Sequence, residues 1–492
     1  VNKNLRFLVV LVVAVNVVVV GWLLLRKPPQ QGAQDVGDVL TPLVSDETMA
    51  AARYDLSDRA DELNVILISM DALRWDRTGL SGNKDGLTPN LDRFGQEAAV
   101  FTKTVSAAPW TLPSHMSVWT ARWPSIHQVT NKLRPLSGGQ MVETSLSPGV
   151  QTYPDLLMAG GRVAAGFTGG AGVQGKYGFS RGFDAYLDDR PFAGMEYSEP
   201  AALQWLQAHQ DQPFFLFLHG YDCHGQYPLP ESQLRSINDY GGSLNGSIEE
   251  QAELREAGLE KIVNPGDDPD LSDRLDAADA QFLEDIYDLK VKAADERVGS
   301  FLRELERMDL LDSSIVVIMS DHGDEFMDHG GLDHGATLYE EQIHTVMMMR
   351  FPGFARQKLV DVPVRSVDLF PTVFDALGLQ GPTGVDGKSL LPLLRDERNT
   401  ASPGPLVSET DYRLFVHQRM LRQDDHKLIL DLLDGERELY DLATDPGEHT
   451  DSSSSDARRT YEMEQGLRTW MEQTNVNPQD YLGLDETPIS IF

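Results

Sequence analysis

Three short runs constrain this chain more than anything else in it: VILISM from Val65, FFLFL from Phe214 and IVVIM from Ile315. Each is apolar, nearly continuous and short, which is the pattern of a strand covered on both faces. Such strands belong to parallel sheets, whose crossovers need helices between them. Helical patterns do lie between them. LTPNLDRFGQEAAVF at 87–101 offers Thr88 as cap, Pro89 at the first helical position, and Leu91, Phe94 and Ala98 on one face. TYPDLLMAGG at 152–161 repeats the device, EPAALQWLQAH at 199–209 reads as a helix, and a long pattern runs from about Asp273 to Met308. VAAGFTGG and HTVMMMRFPG add strands, and a helix is expected at 366–378. The predicted fold class is α/β: a large, doubly wound, mostly parallel sheet flanked by helices.

Past the proline- and glycine-rich patch at 381–405 the texture changes. RLFVHQRMLRQDDHKLILDLLDGERELYDLATDP gives short strands split by turns, hence a small antiparallel sheet. DSSSSD at 451–456 reads as a flexible linker to a terminal amphipathic helix, with Tyr461, Leu467, Trp470 and Met471 facing that sheet. At the other end, Phe7 to Leu25 is a run of 19 residues whose only strongly polar member is Asn16. At about 1.5 Å per residue it spans about 28 Å, close to the roughly 30 Å hydrocarbon core of a bilayer. The following RKPPQQGAQ holds no small-residue cleavage site, so one N-terminal transmembrane helix is expected, a cleaved signal peptide being the alternative. The expected division is an anchor at 1–27, a flexible linker at 28–62, a catalytic domain at 63–400 with an insertion at 225–272 shaping the entrance, and an α+β subdomain at 401–492. The catalytic part is expected on the periplasmic or extracellular side of the cell membrane.

Charge narrows the partners. With 42 basic and 76 acidic residues, a net charge of −34, the chain lacks the positive footprint that nucleic acid requires. The only cysteine, Cys223, excludes an internal disulfide.

In an open α/β sheet, residues just past the carboxyl ends of strands converge on one rim, where ligands bind. Asp71 follows the first run, and Asp321 and His322 follow the third. These three, with the Thr111 oxygen of SAAPWTLPSHMSVWTARWP, make an oxygen-rich site for one divalent metal ion: manganese, calcium, magnesium or zinc, with manganese or calcium preferred. Thr111 becomes a nucleophile in that setting, and His115, four residues on, shares its helix face and can hydrogen-bond it. Local pattern alone makes Thr111 a helix cap. A tetrahedral anion also needs donors, for which Lys176, His224 and His334 are the candidates, with Asp222 orienting His224. His329 reads as a surface or supporting histidine. The chemistry implied is metal-assisted ester hydrolysis or group transfer.

NVILISMDALRWD, TPNLDRF, TLPSHMSVWTARWP, PFFLFLHGYDCHGQY, SSIVVIMSDHG, HGATLYEEQIHTV and SVDLFPTVFDALGL, in this order, resemble the sulfatase family within the alkaline-phosphatase-like group. The resemblance implies the fold derived above, metal ligation by Asp71, Asp321 and His322, and anion contacts near Lys176, His224, His334 and Arg122. It also exposes departures. Thr111 stands where that family carries a cysteine or serine oxidised to formylglycine, which threonine cannot yield; His115 replaces an arginine and Ala72 a second aspartate. Threonine at this position resembles lipoteichoic acid synthases and phosphoethanolamine transferases. The expectation is therefore phosphate ester or diester chemistry through Thr111. Sulfuric ester hydrolysis and a catalytically weak binding member of the fold are the alternatives. The expected substrate is an anionic ester, lipid- or glycan-linked.

Overall fold

The computed structural model describes residues 54–136, 140–234, 237, 240–263, 271–353, 356–395 and 402–477. The expected anchor and most of the expected linker lie outside them. Among the described residues no helix is long and apolar enough to cross a membrane. The linker's last residues pack on the domain: Tyr54, Leu56 and Ala60 are buried, and Leu56 N–H donates to Ala376 O.

The sheet strands, in chain order, are β1 (Asn64–Met70), β2 (Ala99–Phe101), β3 (Val163–Phe167), β4 (Ala185–Leu187), β5 (Phe214–Gly220), β6 (Ser314–Met319), β7 (Met347–Arg350) and β8 (Lys358–Val360). They lie in the order β8-β2-β7-β6-β1-β5-β3-β4. All pairings are parallel except those of β7, which runs antiparallel to β2 and β6. The three apolar runs are central strands, and their alternation explains why they contain so few polar positions. Val65, Leu67, Phe215, Phe217, Ile315 and Val317 enter one core. Ile66, Ile68, Phe214, Leu216, Val316 and Ile318 enter the other.

Helices α1 (Pro89–Gly95), α2 (Thr111–Thr120), α3 (Tyr153–Ala159), α4 (Met195–His209), α5 (Ile248–Val263), α6 (Ala277–Arg307) and α7 (Leu369–Ala376) complete the large domain. α2, α3 and α7 cover the first face; α1, α4 and α6 cover the second. The helix expected at 87–101 stops at Gly95, because Ala99–Phe101 pairs with β7 and β8. Thr88 is its N-cap residue but caps nothing; its hydroxyl donates to Asp92 and accepts from Gly79 N–H.

The C-terminal part holds β9 (Leu406–Thr410), β10 (Gln418–Gln423), β11 (His426–Asp431) and β12 (Arg437–Asp441), an antiparallel meander covered by α8 (Ala457–Gln473). Met463, Leu467, Trp470 and Met471 are the buried side chains of that contact, whereas Tyr461 faces solvent. DSSSSD is no free linker. Ser452 N–H and Oγ bind Leu439 O, Asp451 accepts from Leu439 N–H, and the Asp456 side chain caps α8.

Candidate active site

Register builds the site. Ser69 of β1 pairs with Met319 of β6 and with His219 of β5. Asp71 and Asp321, each two residues beyond that level, therefore face one another at the carboxyl rim. Ala72 turns the chain in a left-handed conformation (φ 59°), and its N–H donates to Asp321 Oδ1 at 3.2 Å. Ser114 of α2 donates to the carbonyl of Asp321 at 2.8 Å. That bond pins the start of α2 over the rim.

Thr111 is the first residue of α2. Trp110 holds the N-cap position and makes no side-chain cap, so the hydroxyl of Thr111 is not spent on the helix. Thr111 Oγ1 donates to Asp71 Oδ2 at 3.2 Å and lies 3.4 Å from His322 Nε2. The positive end of the helix dipole adds to the attraction for an anion there.

Asp71, Asp321 and His322 each offer a ligand atom within 4.8 Å of the others, and all three are buried. Neither Asp71 Oδ1 nor Asp321 Oδ2 has a hydrogen-bond partner among the described residues. The nearest donor to the latter, His115 Nδ1 at 3.2 Å, is committed to the carbonyl of Thr111 at 3.0 Å. Burial and the neighbouring Asp321 charge push the Asp71 carboxyl well above the usual range. Two buried, unpartnered carboxylate oxygens beside an imidazole are costly unless a cation neutralises them. The donor set fits a divalent metal.

Thr111 opens onto a cavity of about 460 Å³ lined by Gly172, Tyr221, His224, His334, Phe192, Lys132 and, from the insertion, Ala252, Arg255 and Glu256; Tyr412 and Arg413 close it from the C-terminal side. His334 Nδ1 lies 2.8 Å from Asp333 and 3.2 Å from Asp324. Burial alone would lower its pKa, but these carboxylates raise it well above the usual value. Burial and the charge of His334, whose ring is 4.8 Å away, hold His224 well below it. The two neighbouring rings are thus pushed in opposite directions.

Other predicted residues sit differently. His115 bonds the backbone of Thr111 and, through Nε2, Ser69 Oγ at 2.9 Å, rather than the Thr111 hydroxyl. Lys176 pairs with Glu143 at 2.6 Å, half-exposed, and does not line the cavity. Asp222 accepts from Met195 N–H at 2.8 Å, while His224 Nδ1 turns to Gly225 O, so Asp222 does not orient His224. Arg122 donates to the carbonyl of Thr383 and does not line the cavity. His329 Nδ1 lies 2.8 Å from Glu341.

Sequence reasoning missed His219, whose Nε2 is 3.2 Å from Asp71 Oδ2. A histidine inside an otherwise apolar strand run was the available signal. Lys132 and Arg255, in segments without strong periodicity, gave none.

A family model described as Sulfatase matches residues 63–379, and one described as N-sulphoglucosamine sulphohydrolase, C-terminal, matches 328–477. Arylsulfatase K of Canis lupus familiaris is 22% identical over 465 residues, covering 84% of this chain and 83% of the relative. Delta 4,5-hexuronate-2-O-sulfatase of Bacteroides thetaiotaomicron is 26% identical over 427 residues, covering 78% and 83%. Among solved structures, a 2-O GAG sulfatase superposes with a TM-score of 0.67 at 21% identity over 85% of this chain and 94% of its own. The phosphonate monoester hydrolase of Agrobacterium radiobacter gives 0.67 at 18%, over 84% and 96%. At these identities the superpositions establish the fold.

Proposed function

Because this chain belongs to the sulfatase family, we propose that it hydrolyses sulfuric esters of anionic sugars, with the Thr111 oxygen as attacking atom. The observation that carries this reading is the Thr111 hydroxyl, 3.2 Å from Asp71 and 3.4 Å from His322 at the floor of an open cavity. Relatives named as sulfatases support sulfate over the phosphate expected from Thr111 alone. Asp71, Asp321, His322 and Thr111 would hold the divalent ion, with manganese or calcium our assignment. When bound, the ion supplies positive charge that stabilises the alkoxide character of Thr111 and a nonbridging ester oxygen.

In the first step the Thr111 oxygen bonds to sulfur and its proton passes along the existing hydrogen bond to Asp71 Oδ2. The bond from sulfur to the sugar oxygen breaks, and that oxygen takes the electron pair and a proton from His334. Water then attacks sulfur and the bond to Thr111 breaks, its oxygen taking back the proton held by Asp71; of the two protons of the water one restores His334 and the other leaves to solvent, and sulfate departs. His224, whose Nδ1–H donates to Gly225 O, offers Nε2 as an acceptor for the incoming water.

A second reading, phosphate monoester or diester hydrolysis, is favoured by Thr111 itself, which cannot become the aldehyde. The phosphonate monoester hydrolase fold match agrees with it. A panel of sulfate monoesters, phosphate monoesters and phosphodiesters, run on metal-loaded protein beside Thr111→Ala, ranks the two. Sulfate turnover lost in the variant supports the first reading. Turnover that survives the variant removes threonine as nucleophile.

The apolar run from Phe7 to Leu25 supports a membrane-anchored, exported enzyme. Protease added outside intact cells is then expected to cut the 28–53 stretch, and full protection contradicts the topology.

A further inference from the structure

We infer that the cavity holds a second anion subsite centred on Lys132, so that the preferred substrate carries a carboxylate or second sulfate besides the ester group. This deepens the function proposed above and rests on it. Lys132 lines the cavity, yet among the described residues its ammonium has no carboxylate or hydrogen-bond partner; its neighbour is the Phe192 ring, 5.6 Å away.

The surrounding charges are otherwise matched. Arg255 pairs with Asp333 at 2.5 Å and donates to Tyr412 Oη at 2.9 Å, and Arg413 lies 3.4 Å from Glu256. His334 is tied to Asp333 and Asp324. Arg255 and Arg413 thus each face a carboxylate, Asp333 and Glu256, and among the described residues Lys132 faces none. In a chain of net charge −34, an unpaired cation in a cavity is a local reversal of the field, and fields of that kind draw anions in. Desolvation by the cavity walls, then Arg255 and Arg413, push the ammonium below the usual lysine range, with Asp71 acting in the opposite sense. An incoming anion relieves that strain.

The reacting group does not need this lysine. It is served by the start of α2, by His334 and by the metal ligands. Phe192, 53% exposed and held at φ 61°, stands between Lys132 and His224, its ring 5.1 Å from the latter. A bulky residue kept in the left-handed region is an unusual expense of backbone energy, and such residues collect where a ligand is gripped. Its apolar face suits the ring that carries both anionic groups.

The test compares a hexuronate 2-O-sulfate with its carboxyl methyl ester, which lacks the second charge, on wild type, Lys132→Gln and Lys132→Glu. Both kcat/KM and calorimetric affinity for the metal-loaded full chain are measured. Wild type should prefer the free acid at least about tenfold. Lys132→Gln should remove most of that preference and Lys132→Glu should reverse it. Equal losses on both ligands, an unchanged preference, or no binding of the free acid to wild type overturns the subsite. Failure to hydrolyse either compound is a separate result: it counts against the ester hydrolase reading, while the affinities still decide the subsite.

Discussion

Gly172 is the most direct handle on Thr111. A Cβ built there would stand 2.8 Å from Thr111 Cβ, 2.9 Å from Thr111 Cγ2 and 3.2 Å from Tyr221 Oη. Ordinary carbon contacts are about 3.5 Å, so Gly172→Ala leaves the threonine side chain short of room by about 0.7 Å. Threonine is β-branched and stiff, and Tyr221 is fixed by accepting from Gly172 N–H and donating to Gly170 O. The displacement therefore falls on Thr111, whose hydroxyl is 3.2 Å from Asp71. Misplacing a reacting group by most of an ångström costs about 100-fold in rate, about 2.7 kcal/mol of barrier. The overpacking itself should cost about 1–3 kcal/mol of stability, leaving the protein folded. Turnover of the best ester from the panel, metal content, circular dichroism and a crystal structure of the variant read all three effects. A folded, metal-loaded Gly172→Ala enzyme within about twofold of wild type would refute the argument that Thr111 is a precisely held attacking atom.

Two further perturbations probe how the small C-terminal sheet holds the rim. Lys427, fully buried, bridges Glu340 at 3.1 Å and Glu448 at 2.8 Å. Lys427→Met strands Glu448, while Glu340 keeps Arg422 at 3.5 Å, and should cost about 3–5 kcal/mol, part of it recovered by adding Glu448→Gln; an unchanged melting temperature contradicts this. His329 gives a pH signature. Its Nδ1 faces Glu341 at 2.8 Å and its Nε2 faces the carbonyl of Glu448 at 3.1 Å, so both nitrogens must donate. Burial would lower its pKa, but Glu341 raises it from 6.5 to about 9. A pKa raised on folding gives stability that is present below 6.5 and lost as pH rises through about 9; here it amounts to about 3 kcal/mol at most. The melting-temperature gap between wild type and His329→Gln should close across that window, and a gap independent of pH contradicts the ion pair.

The parts of the molecule legible in its sequence are those set by backbone pattern. Central strands announce themselves because both faces are apolar, and the residues that follow them, Asp71, Asp321 and His322, inherit their position from parallel register. α3 was readable from Thr152 and Pro154, and its capping box with Asp155 is formed. What escaped depends on contacts between distant segments. The helix expected to run to Phe101 yields to sheet pairing that its own amphipathic pattern cannot reveal. Lys176 and Lys132 both lie outside any periodic segment; Lys176 is taken by Glu143, and Lys132 lines the cavity. His219 stands out in FFLFLHG as the polar residue of an apolar run, but only the pairing of β5 with β1 brings it to Asp71. Arg255 arrives from the insertion on α5, whose place over the rim no periodicity encodes.

We assign Asp71, Asp321 and His322 to one divalent-metal site beside the Thr111 oxygen. Metal stoichiometry after exhaustive dialysis, measured by elemental analysis on wild type and Asp321→Asn, tests it most directly. About one equivalent of divalent ion per wild-type chain is expected, with a loss of affinity of at least about tenfold in the variant, both proteins remaining folded. Equal metal content in the two proteins would contradict it, as would a wild-type enzyme fully active after a chelator has stripped its metal.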